Sequence, residues 1–314
     1  MANGVQSVIS APGLVLGPST AMQRVLAGCA RWAPTPYPIL LLGPPGSGKT
    51  VLARHIHALS GRPGHFIWCS LPGIPIGLEH SSLAGHIRGA FTGSVSNQVG
   101  LIEAAHQGTL FLDEFGLARP PLQELLLELL DDDHSLRRVG EARRRPVGAR
   151  VIAATNVDVD EKVRLGQLRA DLVGRLGSFR IRVPSLAERR EEIIPLAEHY
   201  LRHESTCVGR ASVPVLSSDL RAMFLRAPWP DNVRELRSVC RYLVVECPLD
   251  TSALPAHVPD SFLQTLSPAV PPISGRIPVE DAKAAVAEEG GNMTRAARRL
   301  GISRRHLYRL LETR

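Results

Sequence analysis

Apolar runs punctuate the first half of the chain: PILLLG (38–43), HFIWCS (65–70), TLFLDE (109–114) and ARVIAATN (149–156). Between them lie stretches with apolar residues at helical spacing. PLQELLLELL (121–130) is one, and its leading prolines suit a first helical turn. Short apolar runs alternating with amphipathic helices predict an α/β fold, a parallel sheet with flanking helices, over 14–184 after a loose leader at 1–13. Residues 185–248 predict helices only, interrupted by APWPDN (227–232). Residues 249–277 hold Pro255, Pro259, Pro268, Pro271 and Pro272 among Ser and Thr, the composition of a linker. A short all-α module is expected at 278–314.

Composition narrows the class without naming it. The 314 residues are 44% hydrophobic and 21% charged, ordinary for a globular protein of two or three modules. No run of eighteen apolar residues exists, and the N-terminus lacks a basic segment followed by an apolar core, so a cytoplasmic protein away from the membrane is expected. Cys29, Cys69, Cys207, Cys240 and Cys247 are odd in number and form no C-x-x-C pair. They read as buried reduced thiols, since a zinc site needs tighter clusters of Cys or His. The net charge of +7 suits a polyanionic partner. Basic residues are nearly all Arg, with Lys only at 49, 162 and 283, so a lysine at 49 is notable: it supplies a compact point charge instead of a planar fork.

That lysine lies in GPPGSGKT (43–50), directly after the first apolar run and before VLARHIHAL. The stretch Gly43, Pro44, Pro45, Gly46, Ser47, Gly48, Lys49, Thr50 fits G-x-x-x-x-G-K-[ST] in the strand–loop–helix context the motif requires. Glycines let backbone N–H groups approach phosphate, and the helix N-terminus adds positive potential. Lys49 is then expected on the β- and γ-phosphates of ATP, and the Thr50 hydroxyl on Mg²⁺. TLFLDEF places Asp113 and Glu114 at a strand's C-terminal edge, where open α/β sheets bind ligands. Asp113 would hold Mg²⁺, and Glu114 would polarise the attacking water. VIAATN ends in Thr155 and Asn156, polar groups able to sense the γ-phosphate or to cap a turn.

At the C-terminus, NMTRAARRLGISRRHLYRLLE (292–312) reads as helix–turn–helix. Gly301 supplies the turn and Ser303 caps a second helix carrying Arg304, Arg305, His306, Tyr308 and Arg309. Arg304, Arg305 and His306 are candidates for base contacts in double-stranded DNA, and Arg298 and Arg299 for phosphates.

These stretches together resemble the AAA+ domain of bacterial enhancer-binding proteins, the activators of sigma-54 RNA polymerase, over roughly 14–247, and their Fis-type helix–turn–helix domain over 278–314. The most specific piece is GAFTGS (89–94), similar to the family's GAFTGA loop, which contacts sigma-54. The resemblance implies that Gly89, Ala90, Phe91, Thr92, Gly93 and Ser94 form a partner-binding loop. Ser94 stands where the family has Ala. LRADLVGRL (168–176) is similar to the segment whose arginines reach a neighbouring subunit's nucleotide, and these fall on Arg169 and Arg175. WPDNVREL (229–236) resembles the sensor II motif and implies Arg234 beside the phosphates. RRVG (137–140) matches the loop before the sensor I strand, its arginines expected to face water. The family's Asn at the end of the second strand, partner of the catalytic Glu, is replaced by Ser70, whose shorter reach implies weaker coupling between nucleotide and loop.

The family implies a homo-oligomeric ring, a hexamer, that hydrolyses ATP to remodel the sigma-54 polymerase closed complex while bound to upstream DNA. No receiver-like segment precedes residue 14, so control is expected from a separate regulatory protein, from expression level, or not at all. Two other assignments stay open on sequence alone: a regulator of the same family that does not act through sigma-54, and another AAA+ remodelling ATPase.

Overall fold

The computed structural model describes residues 19–131, 135–248, 252–266 and 279–288. The chain divides into two units, Met1–Val258 and Pro259–Arg314. In the first, a parallel sheet is built from β1 (Ile39–Leu42), β2 (Phe66–Ser70), β3 (Thr109–Asp113), β4 (Arg150–Thr155) and β5 (Arg180–Arg182). Their order is β2-β3-β4-β1-β5. All four neighbour pairs are parallel. The helices of this half include α1 (Thr20–Trp32), α2 (Lys49–Leu59), α3 (Pro120–Leu129) and α4 (Ala170–Leu176).

Strand alternation sorts the apolar side chains into two cores. Leu40, Leu110, Leu112 and Ala153 enter the layer that holds Leu122, Leu125 and Leu126 of α3. Ile39, Leu41, Phe111 and Ile152 enter the layer that holds Leu52 and Ile56 of α2 and Val25 and Cys29 of α1. Burial on both faces is why these strands read as continuous apolar runs. Each fully buried Leu or Phe contributes about 1.5–3 kcal/mol, and together they fix the sheet whose upper edge carries the site.

Arg150 opens β4 at only 2% exposure. Its guanidinium donates to the carbonyls of Trp32, Ala33 and Tyr37, which close α1 and the turn after it. Burial lowers its pKa to about 10, so it remains charged at neutral pH. Arg150→Met takes this donor from the Ala33 and Tyr37 carbonyls, while Thr35 still donates to that of Trp32, and thermal or urea melting is expected to show a loss of about 2–4 kcal/mol.

After β5, Ser185 closes a capping box with Glu188 and starts a 3-10 turn, Leu186–Glu192. Three helices follow: α5 (Ile193–Cys207), α6 (Ser218–Arg226) and α7 (Asn232–Glu246). The helices-only reading of this half is corrected at one point. Val215–Leu216 pairs in parallel with Ser252–Ala253. The linker reading of 249–277 is corrected over its first part, because Ser252–Ala253 is a strand and Pro255–His257 a 3-10 turn.

In the second unit the described elements are the helices Asp260–Leu266, also inside the expected linker, and Val279–Glu288. The expected DNA-contact residues Arg298, Arg299, Ser303, Arg304, Arg305, His306, Tyr308 and Arg309 lie outside the described residues. Among the described residues, no helix is long and apolar enough to cross a membrane. Four of the cysteines are buried as expected, whereas Cys207 is exposed at the end of α5.

Candidate nucleotide site and loop

The glycine-rich loop leaves β1 and turns into α2. Gly48 is the helix N-cap at φ +106 with no side-chain cap, which leaves the first-turn N–H groups free to meet an anion. Gly46 (φ +68) permits close approach: a Cβ there would lie 2.0 Å from the Asp231 carbonyl oxygen. The loop is held from behind by the helical half. Asn232 Nδ2 donates to the Pro45 carbonyl at 2.9 Å, and the Val233 N–H to that of Gly46 at 3.1 Å. Arg189, buried and paired with Glu192, donates to the Ser47 carbonyl at 2.7 Å. Gly43, Pro44 and Ser47 shape the loop, with the Gly43 N–H bonded to the Thr155 carbonyl.

The loop forms one wall of a cavity of about 460 Å³. Pro45, Gly46, Gly48, Lys49 and Thr50 line it, facing Asp113, Glu114, Thr155, Asn156 and Arg234. Lys49 Nζ donates to the Gly43 and Pro44 carbonyls at 2.8 and 3.0 Å. Burial lowers its pKa; Asp113 and Glu114 oppose the shift, and Arg234 adds to it. Glu114 adopts the left-handed region, φ 57 and ψ 38. That conformation costs a non-glycine residue of order 1–3 kcal/mol and is characteristic of functional sites. It turns the chain directly after Asp113, whose Oδ1 accepts the Glu114 N–H. Ser70 stands opposite Asp113 in the β2–β3 register. Trp68, half-exposed on the same edge strand, donates its indole N–H to Asp113 Oδ2 at 3.3 Å.

Arg169 and Arg175 do not join this cavity. Arg169 N-caps α4 and pairs with Asp171; Arg175 meets Asp131 and the Leu127 carbonyl. Both guanidinium groups are partly exposed. The cavity recruits residues that the sequence reading missed. Tyr200 of α5 and Arg237, Ser238 and Arg241 of α7 complete its helical wall. Arg234, Arg237 and Arg241 recur at i, i+3, i+7, which puts them on one helix face, a signal legible in RELRSVCR. Glu204 of α5 bonds both Arg237 and Arg241.

The second feature is the loop Gly89–Ser94. It springs from the antiparallel pair Gly85–His86 and Gln98–Val99. Gly89 and Gly93 take φ +80 and +99. Phe91 is 39% exposed and lies edge-on to His86 with centroids 5.0 Å apart, and Thr92 is exposed beside it. A hairpin of Ser135–Arg137 and Arg144–Pro146 braces the base: the Ile87 N–H donates to the Val139 carbonyl, and Gly140 abuts Ala90. The expectation that the 137–140 arginines face water holds for Arg137 and is corrected for Arg138. The Arg138 guanidinium is largely buried against Glu103 at 2.7 Å, which ties the hairpin to the body of the domain. Ser94 acts as a latch: its Oγ accepts the Phe91 N–H and donates to the Phe91 carbonyl. Ser94→Ala removes both bonds, each worth about 0.5–1.5 kcal/mol. Amide exchange over 88–95 is expected to quicken about tenfold while global stability stays nearly constant.

A parallel sheet with a phosphate loop after its first central strand, an acidic pair at the end of an adjacent strand, and a helical lid bearing arginines defines an ATPase of the P-loop class. Comparison with known proteins refines this. The chain matches the Sigma-54 interaction domain over residues 15–182, the AAA+ ATPase lid domain over 187–271 and the Fis-family bacterial regulatory protein over 283–312. It is 37% identical over 226 residues to the sigma54-dependent transcriptional activator SfnR of Pseudomonas putida, an alignment spanning 72% of this chain and 61% of that one. It is 36% identical over 304 residues to the transcriptional regulatory protein ZraR of Escherichia coli, spanning 93% of this chain and 67% of that one. A crystal structure of NtrX from Brucella abortus in complex with ATP superposes with a TM-score of 0.73 at 30% identity, covering 96% of this chain and 69% of that one. The chain therefore belongs to the sigma-54-dependent AAA+ activator family. It spans about three fifths of the length of SfnR and two thirds of that of ZraR.

Proposed function

We propose that this chain is a sigma-54-dependent transcriptional activator that converts ATP hydrolysis into movement of the Gly89–Ser94 loop against sigma-54. The supporting observation is the convergence of Lys49, Thr50, Asp113, Glu114, Asn156 and Arg234 on one cavity of about 460 Å³, in a domain that also presents an exposed Phe91–Thr92 tip. The backbone amides of 46–50 and Lys49 cradle the phosphates, and Arg234 approaches them from the lid. Thr50 and Asp113 fit Mg²⁺ as hard oxygen donors on facing walls. The ion would neutralise charge on the β- and γ-phosphates. Glu114 orients and deprotonates the attacking water.

Arg169 and Arg175 stay outside their own cavity and partly exposed, as groups serving a neighbouring subunit's nucleotide must be. A ring, a hexamer in this reading, brings them there. Trp68 and Ser70 flank Asp113, so loss of the γ-phosphate is felt first at the end of β2 and passed along the chain towards residues 85–99. The Fis-type segment tethers the ring to upstream DNA. Affinity for duplex should fall with salt at a slope of about −0.9 per phosphate neutralised; fluorescence anisotropy across a salt series measures it, and a flat response would remove the DNA-binding role.

The test is retention of sigma-54 by the purified chain in ADP with a transition-state mimic of the γ-phosphate. Capture with the mimic, and none with ADP alone or with Thr92→Ala, supports the proposal. Capture independent of nucleotide contradicts it.

A further inference from the structure

The lid carries a cluster that the ATPase reading does not use. On α5, His203 and Cys207 are one helical turn apart and both exposed, with buried Glu204 between them in sequence. His203 Nδ1 lies 3.7 Å from Cys207 Sγ and 3.5 Å from Glu204 Oε1. The three donor atoms all fall within 4.8 Å of one another. Zinc bonds of about 2.3 Å to sulfur and about 2.0–2.1 Å to nitrogen or oxygen, at tetrahedral angles, put N and S about 3.6 Å apart and N and O about 3.4 Å apart. The two measured edges match these separations, and the third, Cys207 Sγ to Glu204 Oε1, lies within 4.8 Å.

We propose that His203, Glu204 and Cys207 form a three-ligand site for Zn²⁺ on the lid, with its fourth position open to water. The donor chemistry is appropriate: a soft thiolate, a neutral imidazole and a carboxylate carry two negative charges against the ion's two positive ones. Glu204 forms ion pairs with Arg237 and Arg241. Its two oxygens accept from Arg237 at 2.7 Å and from Arg241 at 3.0 Å. Binding takes the proton from the Cys207 thiol into solvent as the Zn–S bond forms, so one proton is released per ion and nothing is oxidised or reduced. The same two arginines also fix the carboxylate's orientation, the usual task of groups one shell out from a metal.

That arrangement gives the site a consequence. Arg237 and Arg241 line the nucleotide cavity and are tethered by Glu204. An ion that draws the carboxylate's charge towards itself loosens both arginines and leaves them freer for phosphate. The metal site stands independently of the nucleotide reading; only this coupling rests on it.

Cobalt titration of the full chain, without an affinity tag, tests the site. One Co²⁺ per chain should bind with a thiolate-to-cobalt charge-transfer band, and Zn²⁺ should displace it. Cys207→Ser should abolish the band, and His203→Ala should weaken binding by about tenfold or more. Both side chains are exposed, so both variants should fold. Absence of the band, or its persistence in Cys207→Ser, overturns the site. Zn²⁺ should then tighten binding of a fluorescent ADP analogue by about fivefold or more, and not in Cys207→Ser. Unchanged affinity in the unsubstituted chain overturns the coupling alone. An analogue that fails to bind under any condition sinks the nucleotide reading and leaves the cobalt result standing.

Discussion

Glu114→Gln should slow ATP hydrolysis by about 10²–10⁴-fold while leaving nucleotide affinity within a small factor of the original. The asymmetry follows from where binding and chemistry are located. On the proposed reading, affinity comes from the loop amides, Lys49, Arg234 and the α2 N-terminus, none of which the substitution removes. Glu114 makes no such contact. It lines the cavity as an exposed side chain, in the left-handed conformation of the turn after Asp113, and Gln tolerates that backbone as well as Glu does. On the proposed reading, what is lost is the carboxylate that takes the water's proton. Phosphate release measured beside equilibrium binding of a labelled nucleotide separates the two quantities. An unchanged turnover would mean that another group activates water, and the strand-end pair would revert to a turn-capping role.

Arg175→Ala, and separately Arg169→Ala, should cost about 10³–10⁵ in turnover, the scale of a residue that stabilises transition-state charge from across an interface. Each side chain is held away from its own cavity, Arg175 by Asp131 and Arg169 by Asp171, on a surface open to a neighbour. Both ion pairs are exposed and contribute little to stability, so the variants should fold normally. The decisive form of the experiment mixes subunits. Arg175→Ala and Glu114→Gln chains should each hydrolyse ATP only slowly alone. Combined, some interfaces join an intact pocket to an intact arginine, and hydrolysis should return. Additive inactivity in the mixture would show that the arginine acts within its own chain or only structurally.

Local features of this molecule were the legible ones. The apolar runs became β1, β3 and β4 because strands buried on both faces need nearly every residue apolar, and β2, an edge strand with Trp68 half-exposed, because it is rich in aromatic and branched residues; GPPGSGKT announced itself by a glycine spacing suited to a phosphate cradle. β5 was not announced, because RIR has one apolar residue in three and draws its stability from pairing with β1. The Val215–Leu216 and Ser252–Ala253 strands were missed for a related reason: two residues carry no periodicity. The lid wall of the cavity was hidden differently. Tyr200, Arg237 and Arg241 reach the phosphate loop only because Asn232 and Arg189 dock the helical half onto residues 45–47, contacts between positions far apart in sequence. Packing of α5 against α7 inside the helical half brings Glu204 between two arginines.

Open-complex formation at a sigma-54 promoter, with purified chain, sigma-54 polymerase and ATP, puts the link between hydrolysis and loop to its most direct test. Thr92→Ala should hydrolyse ATP at close to the original rate and yield no open complexes. Promoter opening by that variant at the unsubstituted level, or opening by Glu114→Gln without hydrolysis, would contradict the assignment of the loop as the part that delivers the work.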